Sequence, residues 1–343
     1  MRAMVFEQFG GPEVLHLAEM PTPEPGPRQT LVRVRACGVN HLDLWIRSGE
    51  RARTMALPHI QGSEIAGEVA AVGAGGSDLA VGQAVAVAPW EFCGQCEYCL
   101  AGEESLCLKS NIIGIMDRGG YAEYVSVPTA NLIPLPQGVG FNDAAAVTLA
   151  TLTAWNMLVS RARLLPGEDI LILGGSSGVG SAAIQIARLL GARKVIATAG
   201  SAEKQAKVRQ LGADEVINHH TQDIREEVRR ITGKRGVDVV VEHVGTATWE
   251  KSLASLARGG RLVTCGATTG SEGKVDIWSL FAKKLSVLGV YGGTRSELSR
   301  VLALVAGGRL RALIDSVLPL EKLPDAQRRM AAGDHFGKII ITP

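Results

Sequence analysis

Apolar and polar residues change rhythm along this chain. To about Gly140 the apolar positions come in short runs broken by glycine, serine and proline. Leu31–Arg35 alternates with the period of two that marks a half-buried strand, and Ile65–Val72 and Ala84–Ala88 are runs of the same kind. This predicts a twisted, partly antiparallel β domain. From Asp169 onward, short apolar runs alternate with longer segments at helical spacing. Strands are predicted at Asp169–Leu173, Lys194–Ala197, Glu215–Ile217, Val237–Val241, Arg261–Cys265 and Leu285–Gly289. Helices are predicted at Val179–Leu190, Ala202–Leu211, Ile224–Ile231 and Thr248–Ala257. Strands alternating with helices form βαβ units around a parallel sheet, and six in this order fit a doubly wound α/β domain. The remainder holds a helical stretch, Ser296–Gly307, and the strand-like Lys338–Ile341. Since the sheet is already complete, this tail is expected to rejoin the first domain. The expected division is a β-rich domain over 1–140, an α/β domain over 141–288 and a returning segment over 289–343.

Composition narrows the function classes. The 343 residues carry a formal net charge of +2 with no basic block, so nothing points to nucleic acid or to an anionic membrane surface. The opening residues MRAMVFEQFGG contain no apolar signal core, and no run of 18 apolar residues exists. A cytoplasmic protein acting on a small molecule is expected.

Of six cysteines, four fall in one short segment: Cys93, Cys96, Cys99 and Cys107. Short spacers let one loop supply four thiolates to a tetrahedral zinc ion, which predicts a lobe over 91–109. Four protein ligands leave no open position, so such a zinc is structural. Disulfides and free thiols are the alternatives. An iron–sulfur cluster is a third, and its bacterial pattern has different spacing and a proline after the last cysteine.

Leu171–Gly180 reads LILGGSSGVG and runs into SAAIQIARLL. A buried strand, a glycine turn and a helix in succession aim helix N-terminal N–H groups at a pyrophosphate. Gly174 permits the turn, Ser176 and Ser177 can donate hydrogen bonds, and Gly178, Val179 and Gly180 open the helix with close backbone approach. An NAD-binding domain places an acid about 20 residues further on, at the end of the second strand. Here that strand ends in TAGS, and Ser201, Lys204, His219 and His220 follow. The missing acid, with donors and a cation nearby, favours the 2′-phosphate of NADPH over NADH.

With these residues in view, the chain resembles the medium-chain dehydrogenase/reductase superfamily, which includes zinc alcohol dehydrogenases and quinone oxidoreductases. The markers are GPEVL (11–15), CGVNHLDLWIRSG (37–49), GSEIAGEVAAVG (62–73), the cysteine lobe, GGYAEYV (119–125), LTAW (152–155), GGSSGVG (174–180) and GKIII (337–341). The resemblance implies a GroES-like catalytic domain beside a Rossmann domain, and a homodimer with Ile277–Gly289 near the sheet edge. Zinc alcohol dehydrogenases also hold a catalytic zinc. Its ligand positions fall here at Asn40, Ser63 and Leu149, and the hydroxyl relay falls at Leu42, so the resemblance implies that this metal is absent. His41, Asp43 and His59 are an alternative ligand set. The GVN spelling is similar to quinone oxidoreductases, which usually lack the cysteine lobe that this chain keeps.

Without a Lewis acid, simple alcohol oxidation is difficult, whereas hydride transfer to a quinone or an α,β-unsaturated carbonyl is easier because the charge delocalises. By the resemblance, Thr153, Gly266, Gly289 and Tyr291 lie near the nicotinamide, and Asn40 hydrogen-bonds the carbonyl oxygen or serves as a turn residue. Glu64 is retained from the zinc site, and Asp43 is expected to act there or to pair with Arg47. Trp45, Trp90 and Phe92 are candidates for an apolar wall. Two other functions compete: an alcohol or aldehyde dehydrogenase with an atypical metal site, and a nucleotide-binding protein without catalysis.

Overall fold

The computed structural model describes residues 1–50, 55–75 and 79–343. It divides into two units, Met1–Leu149 with Thr294–Pro343, and Ala150–Gly293. The first break lies beyond residue 140 because the helix Phe141–Val147 buries Ala144–Val147 against the strands Gln29–Gly38 and Glu64–Val72 of the first unit. The second lies beyond 288 because Val290 still hydrogen-bonds Thr264 of the parallel sheet.

The first unit is organised by a seven-stranded sheet. Its order is Ile314–Pro319, Lys338–Thr342, Gln29–Gly38, Glu64–Val72, Ala84–Val87 and Leu132–Pro134, with Tyr124–Pro128 also pairing on Gln29–Gly38. All pairings are antiparallel except that of Ile314–Pro319 with Lys338–Thr342. Gln29–Gly38 shows the predicted alternation: Val32 and Val34 are buried, whereas Arg33 and Arg35 are exposed. The tail contributes Ile339 and Ile341 to the same core as Phe6, Ile46 and Ile65. Register matters for the site. Ile341 faces Cys37, Ile340 faces Gly38, and Gly38 faces Glu64. Lys338, Asn40 and Glu64 therefore arrive at one end of the sheet.

The second unit is a six-stranded parallel sheet ordered Glu215–Ile217, Lys194–Thr198, Asp169–Ile172, Val237–Glu242, Leu256–Thr264 and Ser286–Gly289. Ile170–Ile172 and Val239–Val241 of its central strands are apolar and fully buried, as strands covered on both faces require. The chain direction across the sheet reverses between Asp169–Ile172 and Val237–Glu242, which makes this the switch point of the fold. The helix predicted over Thr248–Ala257 is shorter, Trp249–Ala254, because the next strand already begins at Leu256 and passes through Gly259 at φ +75°. Among the described residues, no helix is long and apolar enough to cross a membrane.

Candidate functional site

In the first unit, the four lobe cysteines converge. Gly94 and Gly102, both at positive φ, turn the chain on either side of the short helix Glu97–Leu100. The sulfurs all lie within 4.8 Å of one another, with Cys93 and Cys99 3.9 Å apart and Cys96 and Cys99 3.5 Å apart. A tetrahedron with zinc–sulfur bonds of 2.3 Å has edges of about 3.8 Å, so the thiols fit one zinc ion. The cysteines form no disulfide. Backbone N–H groups of Cys93 and Lys109 donate to Cys107 Sγ at 3.2 and 3.4 Å, which suits a thiolate. Those of Cys99 and Leu108 pull the Cys96 thiol down to about 6. Arg295 fastens the lobe to the rest of its unit. Its backbone N–H and Nε donate to the Glu104 carboxylate, and its guanidinium lies 4.7 Å from the Phe92 ring centroid. Phe92 is thus a platform for Arg295, and Trp90 is buried in the core, so neither is free to wall a substrate site.

In the same unit, Asn40, Asp43 and Glu64 are brought together. Asn40 caps the helix His41–Ser48 from an extended conformation, and its backbone N–H donates to Asp43 Oδ2 at 2.8 Å. Tyr121 donates its hydroxyl to the same oxygen at 2.6 Å. Asp43 is fully buried, and burial raises its carboxyl to about 6 against the opposing pull of those two bonds. The expected pairing of Asp43 with Arg47 does not form. Arg47 donates instead to Gln327 Oε1 at 2.6 Å and to the Gly10 carbonyl, and a chain of amides returns to the helix: Gln327 to Gln61, then Gln61 to the Asp43 carbonyl. Glu64 is also fully buried. Its Oε1 accepts from Leu149 N–H at 3.1 Å, and its Oε2 lies 2.6 Å from Lys338 Nζ. The same ammonium donates to Asn40 Oδ1 and to the Val39 carbonyl, each at 2.7 Å. Asp43 Oδ1 and Ser63 Oγ are buried with no hydrogen-bond partner among the described residues.

His41, Asp43 and His59 do not converge. His41 packs its ring against Trp45, while His59 is buried against Phe6 with Nε2 3.1 Å from the Gly114 carbonyl. Among the described residues, the lobe cysteines are the one set of three or more His, Cys, Asp or Glu side chains placed to share a metal.

In the second unit most of the residues expected to bind nucleotide lie at the carboxyl ends of the strands. Gly174 takes φ +57°, and a Cβ on Gly180 would strike the Gly174 carbonyl, so both positions require glycine. Ser177 caps the helix Gly178–Leu189: its Oγ accepts from Gly180 N–H at 2.9 Å and keeps its own hydrogen to donate, beside the backbone N–H groups of the first turn. Ser176, Gly178 and Val179 are half-exposed there. Ser201 likewise caps the helix Ala202–Leu211. His219 and His220 stack edge to face at 4.4 Å, and a Cβ on Gly200 would meet both rings. Burial, then the charges of His220 and Lys204, hold the His219 imidazole below its ordinary range. Thr153 is buried in the helix Ala150–Trp155. Gly266 follows the strand Leu256–Thr264, whereas Gly289 ends the outermost strand and Tyr291 is 59% exposed just beyond.

Several residues of these sites escaped the sequence reading. His243 places Nε2 2.9 Å from the Leu173 carbonyl and 3.4 Å from Ser177 Oγ, beneath the glycine turn at the switch point. Nothing local marks it. Lys338 carried a usable signal, since a lysine opening the apolar run KIII must find partners if it is buried.

The fold is thus that of a doubly wound parallel sheet in one unit and, in the other, a mostly antiparallel sheet with a four-cysteine lobe. Comparison with known proteins agrees. The family profile of the alcohol dehydrogenase GroES-like domain matches residues 26–137, and that of the zinc-binding dehydrogenases matches residues 178–307. Quinone oxidoreductase of Homo sapiens is 35% identical, over 99% of this chain and 97% of its own. Alcohol dehydrogenase of Geobacillus stearothermophilus is 34% identical over 99% of each chain. The solved structure of an NAD-dependent alcohol dehydrogenase superposes with a TM-score of 0.96 at 44% identity, over the full length of both chains. The chain belongs to the medium-chain dehydrogenase/reductase superfamily and is an oxidoreductase.

Proposed function

We propose that this protein uses NADPH to reduce a quinone or an α,β-unsaturated carbonyl, with one structural zinc and no catalytic zinc. The observation that carries this reading is the environment of Asn40. The positions that would ligate a catalytic zinc hold Asn40, Ser63 and Leu149, and Glu64 is already paired with the Lys338 ammonium. An amide, a hydroxyl and a backbone N–H beside a cation form a poor donor set for zinc. The site is better suited to an acceptor that is electrophilic without a Lewis acid.

When bound, the dihydronicotinamide supplies the hydride. The chain's residues do the rest. Backbone N–H groups at Gly178–Gly180 hold the pyrophosphate, and Thr153, Gly266, Gly289 and Tyr291 orient the nicotinamide. Asn40 donates from Nδ2 to the acceptor's carbonyl oxygen, where negative charge develops. Asp43 and Glu64, both fully buried, support Asn40 rather than touch the substrate.

The preference for NADPH is supported by the acid-free end of the second strand and by Lys204, His219 and Ser201 beside it. A homodimer is supported by Ile277, Trp278, Phe281 and Val287, which are exposed in the last helix and edge strand of the parallel sheet. Thiols arranged to hold zinc rather than paired as disulfides suit the cytoplasm.

The test is a panel of quinones, enones and simple aldehydes with NADPH or NADH, run beside elemental analysis. Expected are about one zinc per chain, turnover of quinone or enone, and a higher kcat/KM with NADPH that falls in Lys204→Ala. About two zincs per chain with preferential alcohol–aldehyde turnover would reverse the reading.

A further inference from the structure

We propose that Lys338 is a positioning residue for hydride transfer, acting by fixing the Asn40 amide so that its N–H edge is presented to the acceptor oxygen. This rests on the reading that Asn40 binds that oxygen.

A lysine ammonium has three N–H bonds and no lone pair. Lys338 Nζ has three acceptors within 2.6–2.7 Å: Glu64 Oε2, Asn40 Oδ1 and the Val39 carbonyl. All of its donors are therefore engaged, and the Asn40 atom that faces it must be the oxygen. An asparagine amide is otherwise free to turn end over end. Here an ammonium forbids the flipped state, because it would set NH2 against NH3⁺. Both residues are nearly enclosed, Lys338 at 4% exposure and Asn40 at 8%, so water is a poor substitute for either.

The other end of the amide is left lightly used. Asn40 Nδ2 makes one long bond, 3.4 Å to the Gly38 carbonyl, and it carries two N–H groups. One of them is available to a ligand. The backbone of Asn40 is held independently by Asp43 through the 2.8 Å bond from its N–H. Main chain and side chain are thus pinned from different directions, by a residue one helical turn ahead and by one 298 positions away.

The chemistry gains from both effects. A hydride moves from the dihydronicotinamide to a carbon conjugated with the acceptor's carbonyl. The π electrons shift to oxygen, the nicotinamide is left oxidised, and a solvent proton completes the reduced product. The oxygen bears a full negative charge before that proton arrives. A pre-oriented N–H, polarised by an ammonium on the far side of its own amide, stabilises this charge more than it stabilises the neutral carbonyl. The effect should therefore appear in kcat more than in KM.

The experiment is a double-mutant cycle with NADPH and a quinone or enone that the protein reduces. Lys338→Met alone leaves Glu64 buried without its cation, so it is paired with Glu64→Leu, which removes both charges together. Thermal midpoint and NADPH binding by fluorescence report folding and the nucleotide site. Asn40→Ala is expected to lower kcat/KM about tenfold. Lys338→Met with Glu64→Leu is expected to lower kcat by about as much with KM within about twofold, and to add less than about twofold on top of Asn40→Ala. Equal losses in both backgrounds, or no loss in the wild-type background, would overturn the proposal. If Asn40→Ala is itself silent, the reading of Asn40 falls with it. If Asn40→Ala costs tenfold and the charge-pair variant costs nothing, Asn40 stands and Lys338 alone is dismissed. Lys338→Arg, which keeps the charge and changes its reach, serves as the second variant. Near-wild-type kcat in Lys338→Arg supports the proposal, and a folded Lys338→Arg protein as impaired as the charge-free variant counts against it.

Discussion

The Met1–Leu149 and Thr294–Pro343 unit contains two side-chain clusters assembled in opposite ways. The cysteine lobe gathers four soft sulfurs from a 15-residue segment, Cys93 to Cys107, close enough together to share one metal ion. The Asn40 site gathers hard oxygens from Asn40, Val39 and Glu64 around an ammonium delivered by a strand from the far end of the chain. The first arrangement is local in sequence and fits an ion that the chain itself does not supply. The second is long-range and carries its own cation. A site that imports zinc with four protein ligands is closed, so its role is structural. A site with a built-in ammonium can leave a neighbouring amide partly free, and that amide can meet a substrate.

This contrast can be broken at either end. The largest effect is expected from Cys96→Ser with Cys99→Ser. Structural zinc contributes on the order of 10 kcal/mol of apparent binding free energy in small zinc domains. Zinc content should fall from about one per chain to near zero, with a clear drop in thermal midpoint, by elemental analysis and calorimetry. Retention of a full zinc would show that the metal sits elsewhere. Glu64→Leu comes next. It strands a buried ammonium and should cost about 3–5 kcal/mol in urea unfolding, whereas the same change made together with Lys338→Met should cost much less.

The third prediction concerns pH. Asp43 has its carboxyl raised to about 6 in the native state, above the ordinary 3.8 that it regains on unfolding. Between these values the native chain keeps a proton that the unfolded chain has released, so stability falls as pH rises through that window. The loss approaches about 3 kcal/mol by pH 7. Urea midpoints from pH 4 to 7 should show this slope in the wild type and a flatter one in Asp43→Asn. An unchanged slope would mean that other groups carry it. The smallest effect is expected from Arg295→Ala, which removes a partly exposed ion pair with Glu104 and the contact with Phe92. About 1 kcal/mol should be lost without loss of zinc.

The same contrast explains what could be read from sequence. Each strand of the parallel sheet was visible as a short apolar run, and Ala202–Leu211, Glu215–Ile217 and Ile224–Ile231 match to the residue, whereas the helices Ala150–Trp155 and Ile277–Ala282 of the same unit were not read. The cysteine lobe was visible because its ligands are close in sequence. The Asn40 site was only half visible. Asn40 and Glu64 stood in recognisable motifs, but their partner Lys338 reaches them through the pairing of Lys338–Thr342 with Gln29–Gly38, and local spacing does not encode strand pairing. Arg47 was assigned to Asp43 by helical proximity, yet the partner it takes, Gln327, comes from the tail. His243 was missed for the same reason: its partners Leu173 and Ser177 are about 70 residues away, across the switch point.

The interleaving of the two units has a consequence for the order in which the protein is made. A chain grows from its N-terminus, and domains tend to fold as they emerge. Ala150–Gly293 is continuous and holds its whole sheet, so it can be complete before Thr294–Pro343 has been added. The flanking unit cannot. Its sheet lacks a partner at the Cys37–Gly38 end of Gln29–Gly38 until Lys338–Thr342 arrives, and with that strand comes the Lys338 ammonium that pairs with Glu64. The pairing of Lys338–Thr342 with Gln29–Gly38 therefore extends the sheet and brings the ammonium to Glu64 in one step, after the continuous unit has emerged.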